Sequence, residues 1–334
     1  MRRRGSTLGR PSRRVMLAAI ATMGFATPIE LRAQSPPLML RVGAVGLQPR
    51  EATIYTAFET RMAELGYIGV KNFAFEYVRA ASIEDYPAGY AQLAARQIDL
   101  ILCAGSEPAL RAARAVADAR PIVLIAIDFD PVAKGYVASF ARPGNNITGI
   151  AVRQLELAAK RVELLRETLP RAQRLGLLFD MASRDQAEAS AAAAPSLNFV
   201  PRLIEIAGQP PDYAAAFGMM DDAPGEPVIL PASPMFLRDR AAIEQLLIGQ
   251  RVPAIAAFRE NAEAGALISY GVDLIGLFHD IADFVDRVAK GAHPADLPME
   301  PPTHFHMAAN LKTAASLGVV IPQFLLARAD EVIE

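Results

Sequence analysis

Residues 128–149 read DFDPVAKGYVASFARPGNNITG, and the fold turns on how this stretch is entered and left. In front of it stands an unbroken apolar run, Pro121-Ile122-Val123-Leu124-Ile125-Ala126-Ile127. No polar residue alternates within it, so it predicts a strand covered on both faces. The run ends in Asp128-Phe129-Asp130-Pro131, which sets two carboxylates and a ring at a strand's carboxyl end. Open α/β sheets hold their ligands there. Turn residues Arg142-Pro143-Gly144-Asn145-Asn146 follow, and then a β-branched start, Ile147-Thr148-Gly149-Ile150. The first part reads as half of a ligand site and the second as a hinge leaving a lobe.

Upstream, strand and helix signals alternate from Leu38, the pattern of an α/β fold with a largely parallel sheet. Residues 40–45 predict a strand. Residues 52–65 predict a helix with apolar positions Ile54, Phe58, Met62 and Leu65, stopped by Gly66. Strand 73–78, helix 86–97 and strand 99–103 come next, and Ser106 stands as the N-cap of another helix with Pro108 in its first turn.

Downstream the plan recurs. Residues 99–130 read DLILCAGSEPALRAARAVADARPIVLIAIDFD, and residues 226–260 read EPVILPASPMFLRDRAAIEQLLIGQRVPAIAAFRE. Ser106 matches Ser233 and Pro121 matches Pro253; seven residues beyond each Pro stand Asp128 and Glu260. Residues 175–179 repeat 40–45, and 187–194 stand where 52–65 stood. Two lobes of one topology imply a cleft between facing strand ends. The tail does not repeat: strand 264–271 ends near Tyr270, and an amphipathic helix spans 274–290. A Pro-rich link covers 294–302, strand 305–309 follows, and Asn310 caps helix 311–317. Residues 319–321 and a last helix over 324–332 complete the expectation.

Length and composition fit this plan. With 334 residues the chain is long for one domain, and 52% of it is apolar. The N-terminus has a secretory layout: Arg2-Arg3-Arg4 and Arg13-Arg14 precede an apolar stretch over 15–26, and Leu31-Arg32-Ala33 ends on a small residue. That stretch is too short to span a membrane. Ser12-Arg13-Arg14-Val15-Met16-Leu17 also fits a twin-arginine signal, so the export route, Sec or twin-arginine, stays open. Loss of residues 1–33 takes away seven Arg and one Glu, leaving 27 basic and 35 acidic residues and a net charge of −8. That charge argues against nucleic acid or an anionic membrane as partner.

Candidate site residues come from the strand ends. Ser106 and Ser233 each open a helix, where unpaired N–H groups suit a carboxylate or phosphate, although simple capping also explains each alone. Asp128, Asp130 and Glu260 offer carboxylates to an ammonium group; an Asp-Pro turn is the structural alternative for Asp130. Phe129, Phe258 and Tyr270 offer rings to an apolar or aromatic ligand, with core burial as the alternative. The lone Cys103 sits in an apolar run and reads as core. His304 and His306 share a strand face without further ligands at metal spacing, so no metal and no cofactor are expected. No nucleophile elbow, P-loop or dinucleotide fingerprint occurs, so the chain does not read as an enzyme.

Several of these segments carry a resemblance. DFDP at 128–131, ARPGNNITG at 141–149, GALISYG at 265–271, KGAHPADLP at 290–298, NLKTA at 310–314 and LLARADEVIE at 325–334 resemble the ABC transporter substrate-binding protein family, a group that includes tryptophan-binding members. Asn145 departs from the usual second Gly, which a left-handed turn tolerates.

The resemblance implies a type I periplasmic-binding-protein fold, two doubly wound lobes joined by three crossings near Thr148, Gly271 and Pro302. Lobe 1 would then hold residues 34–148 and 272–302, and lobe 2 residues 149–271 and 303–334. It implies cleft residues Ser106, Asp128, Ser233, Glu260 and Tyr270, with the loop near Gln48 contributing. It also implies an exported protein of the periplasm that captures a small solute, an amino acid or an aromatic or organic acid, for an ABC permease in the inner membrane. A sensor subunit presenting its ligand to a membrane receptor is the rival reading.

Overall fold

The computed structural model describes residues 39–208, 210–219 and 225–334, so the export signal expected over 1–33 lies outside the described residues. The first lobe is built from β1 (Leu40–Gly46), α1 (Thr53–Glu64), β2 (Phe73–Arg79), α2 (Tyr86–Ala94), β3 (Leu100–Gly105), α3 (Glu107–Ala117), β4 (Ile122–Ala126) and β5 (Ile147–Ala151). Its five strands lie in the order β2-β1-β3-β4-β5, every pair parallel. All of β4 is buried, as its unbroken apolar run requires.

The second lobe begins with α4 (Gln154–Thr168), β6 (Arg174–Phe179), α5 (Arg184–Ala193), β7 (Val200–Glu205), α6 (Tyr213–Gly218) and β8 (Val228–Leu230). It continues with α7 (Pro234–Arg238), α8 (Arg240–Gly249), β9 (Ala254–Ala256), α9 (Arg259–Ala264) and β10 (Ile268–Val272). The chain then returns to the first lobe as α10 (Leu274–Ala289), whose buried stripe Leu274, Leu277, Phe278, Ile281 and Val285 packs with Ile54, Phe58 and Met62 of α1. Each such side chain removed from water contributes about 1.5–3 kcal/mol. Finally β11 (Phe305–Asn310), α11 (Leu311–Leu317), α12 (Gln323–Leu326) and β12 (Glu331–Ile333) complete the second lobe. Its sheet runs β12-β11-β10-β9-β8-β6-β7, with β11 antiparallel to β10.

One expectation needs correction. The last helix is only α12, and the chain ends in a strand parallel to β11. Asp330 accepts from the Met307 N–H at 2.8 Å, and Arg259 forks onto both oxygens of Glu331, so the terminal residues gain more as a strand than as helix. Thr148, the expected first crossing, lies within β5. All of β5 stays hydrogen-bonded to β4, Thr148 is fully buried with its hydroxyl donating to Leu297 O at 2.8 Å, and the chain leaves the first sheet only after Ala151.

Two glycines of the sequence motifs have a geometric reason. A Cβ on Gly149 would run into the backbone of Leu124, and one on Gly271 into Ala257 O. Both sit in strands whose neighbours approach too closely for any side chain. Beside the second crossing lies a fully buried arginine. Arg161 donates to Tyr270 O at 2.8 Å and to Gln154 Oε1 at 2.9 Å, and burial pulls its guanidinium down to about 9.

Candidate functional site

The strand ends of the two sheets face one another, and the lobes touch. Gln48 Nε2 lies 3.5 Å from Pro234 O, Lys134 Nζ lies 4.0 Å from Asp185, and Arg238 donates to Ala81 O across the opposite rim. Ile54, Ile125 and Phe278 of the first lobe share one apolar cluster with Leu237 and Phe258 of the second. This is a closed cleft. Gln48, Ser106, Asp128, Ser233 and Phe258 are all buried in it or at its walls.

Asp128 sits two residues past the end of β4 and is 4% exposed, yet neither carboxylate oxygen has a hydrogen-bond partner. Burial pushes its carboxyl well above the usual range, and the charge of Asp180 from the other lobe pushes the same way; the nearby N–H groups of Glu107 and of Asp128 itself offset only part of this. Ser106 precedes α3 with extended backbone, as expected of an N-cap, but its hydroxyl makes no capping bond and is left with a loose contact to the Tyr86 hydroxyl. A buried hydroxyl without a well-formed hydrogen bond and an unpaired buried carboxylate side by side in the sequence frame are costly, and both are suited to a ligand with a donor to give.

The second lobe's face is chemically complete. Ser233 caps α7 by accepting from the N–H groups of Met235 and Phe236, and its own proton goes to Asp180 Oδ2 at 2.5 Å. Asp180 also accepts from the Ser183 hydroxyl and N–H. Gln186 pairs with both backbone groups of Ala232. Sequence reasoning missed Asp180. The signal was present, because the apolar strand Leu175–Phe179 ends on this acid just as the run before Asp128 does.

Other expected residues fall elsewhere. β9 ends at Ala256, so Glu260 is already in the first turn of α9, and its surrounding charges are Glu263, Arg240 and Arg259. Tyr270 is half-buried between two apolar clusters, its carbonyl held by Arg161. Asp130 accepts from the Val132 and Ala133 N–H groups and so closes the Asp-Pro turn. Phe129 is buried edge-to-face with Tyr136, with ring centroids 6.0 Å apart, and lines the cavity beside Asp128. Burial pushes the Cys103 thiol up to about 12, as a core residue requires. Among the described residues no three His, Cys, Asp or Glu side chains converge into a metal site.

Two spaces flank this part of the cleft. A cavity of about 730 Å³ opens on the flank of the first and third crossings, walled by Asp128, Phe129, Lys134, Gln154, Asp185 and Glu300. On the other side lies a smaller chamber, about 50 Å³ as closed here, lined by rings of Tyr55, Tyr86, Phe258 and Phe278 together with Gly105 and Ile127. Its walls come from both lobes, so its size depends on how far they close. Gly105 and Ile127 of its wall immediately precede Ser106 and Asp128 in the chain.

The family model described as ABC transporter substrate binding protein matches residues 48–333. The chain belongs to that family. It is similar to a tyrosine-binding protein of Clostridioides difficile (strain R20291), 22% identical over 204 residues; the match takes in 60% of this chain and 57% of that relative's length. Among solved structures, an ABC domain in complex with L-Trp from Streptococcus pneumonia superposes with a TM-score of 0.79 at 22% identity, covering 88% of this chain and 100% of that one. A conserved domain protein from Vibrio cholerae gives 0.79 at 20% identity, covering 89% and 99%. The chain thus has the two-lobed periplasmic-binding fold, and the match spans about half the length of the curated relative. No described helix is long and apolar enough to cross a membrane.

Proposed function

We propose that this substrate-binding protein captures an amino acid with an aromatic side chain in the periplasm and delivers it to an ABC permease in the inner membrane. The observation that carries the reading is Asp128: a buried carboxylate with no partner on either oxygen, opposed by a second carboxylate, calls for a cation. The ligand's ammonium supplies it. The Ser106 hydroxyl and the start of α3 suit the ligand's carboxylate. The chamber lined by Tyr55, Tyr86, Phe258 and Phe278 suits a ring, in keeping with relatives that bind tyrosine and tryptophan. Contacts from both lobes would stabilise the closed state, which the permease recognises.

Thermal unfolding against a panel of amino acids, aromatic compounds, sugars and small acids tests this. A ligand at 100 times its dissociation constant adds about 2.7 kcal/mol and raises the melting temperature. The expected hits are aromatic amino acids; a response to sugars alone would contradict the reading.

A further inference from the structure

Proton counting in the chamber wall yields a rule of selection. The Tyr77 hydroxyl lies 2.5 Å from Gln48 O, and a carbonyl oxygen has no proton, so Tyr77 donates there. The Tyr55 hydroxyl lies 3.2 Å from the Tyr77 hydroxyl. Tyr77 has already committed its single proton, so Tyr55 must donate to Tyr77. Tyr55 then has no proton left, and its oxygen can only accept. Among the described residues none donates to it.

That oxygen sits against Gly46 in the chamber wall. A Cβ on Gly46 would collide with the Tyr55 hydroxyl, and Gly46, Gln48 and Tyr55 all line the space. The orientation is fixed before any ligand arrives. Tyr55 is 5% exposed, and its ring packs edge-on against Phe278 at 5.6 Å and tilted against Tyr77 at 4.8 Å. Burial also holds its phenol well above the usual range, so the relay keeps its protons.

We infer that Tyr55 is a specificity-determining residue that makes the chamber select a ring bearing a hydrogen-bond donor at its far end, such as a phenol O–H or an indole N–H. A bare phenyl ring buries the Tyr55 lone pair unpaired, and a ring ending in an acceptor sets two lone pairs against each other. The inference rests on the proposal that aromatic amino acids are the ligands.

Calorimetric titration of the full chain with L-tyrosine, L-phenylalanine and 3-(4-pyridyl)-L-alanine tests it. The expected wild-type order is L-tyrosine at least tenfold tighter than L-phenylalanine, with the pyridyl compound weakest. In Tyr55→Phe the tyrosine-to-phenylalanine ratio should fall below about threefold. Tyr77→Phe frees the Tyr55 proton to point at the ligand, so binding of the pyridyl compound should improve at least fivefold there, an effect that a purely structural role for Tyr77 would not produce. Equal wild-type affinity for L-tyrosine and L-phenylalanine, or no pyridyl gain in Tyr77→Phe, would overturn the inference and leave the ligand class standing. If none of the three binds, and L-tryptophan does not bind either, the ligand class itself falls and takes the inference with it.

Discussion

The two faces of the cleft are built on one topological plan but are in opposite chemical states. In the second lobe Ser233, Asp180, Ser183 and Gln186 satisfy one another and cap a helix. In the first, Ser106 occupies the position that matches Ser233, and both it and Asp128 are buried without a well-formed side-chain hydrogen bond. A protein gains stability by completing such networks, so leaving one face incomplete costs free energy in the empty closed state. The difference teaches where function sits: the complete face supports, and the incomplete face waits for a ligand to finish it.

The sharpest way to break this contrast is to delete the paired serines one at a time. Ser233→Ala leaves Asp180 Oδ2 and two helix N–H groups without their partner, and should cost about 1–2 kcal/mol in denaturant unfolding. Ser106→Ala removes a hydroxyl that makes no well-formed hydrogen bond and should change stability by less than about 0.5 kcal/mol. Equal losses in the two variants would mean that the faces are alike after all.

A smaller effect is expected from pH. Asp128 has its carboxyl raised above its unfolded value, so the folded protein holds that proton more tightly than the unfolded chain. The resulting stabilisation is fully present below about pH 4, the ordinary carboxylate range, and is lost as pH rises through the raised value. Asp128→Asn stays neutral throughout. Without ligand, the wild type should therefore lose stability relative to Asp128→Asn as pH rises, and parallel unfolding curves would show that the carboxylate is not buried unpaired.

Much of the fold was legible because its signals are local. Unbroken apolar runs marked β3, β4 and β8, and the joint spacing of Ser106 with Pro121 and Ser233 with Pro253 exposed the two-lobe plan. That Glu260 stands in a helix was not legible, because spacing from Pro253 cannot reveal that β9 stops after three residues and lets α9 begin first. The terminal strand was missed for a similar reason. Its pairing depends on Asp330 and Glu331 meeting Met307 and Arg259, contacts that no local pattern encodes. Ser106 and Asp128 were visible as residues, but their lack of well-formed hydrogen bonds was not, since satisfaction is a property of the assembled lobe. The aromatic chamber, with Tyr55 and Tyr86 on one lobe and Phe258 on the other, likewise exists only once the lobes meet.

The central claim, that Asp128 is an unfilled socket for a ligand's ammonium group, is tested most directly by comparing L-tryptophan with indole-3-propionate, which has the same ring and carboxylate but no ammonium. Titrated into the wild type, L-tryptophan should bind at least tenfold more tightly, and in Asp128→Ala its affinity should fall at least tenfold while the preference disappears and the fold persists. Equal binding of the two compounds by the wild type, or unchanged L-tryptophan affinity in Asp128→Ala, would contradict the account.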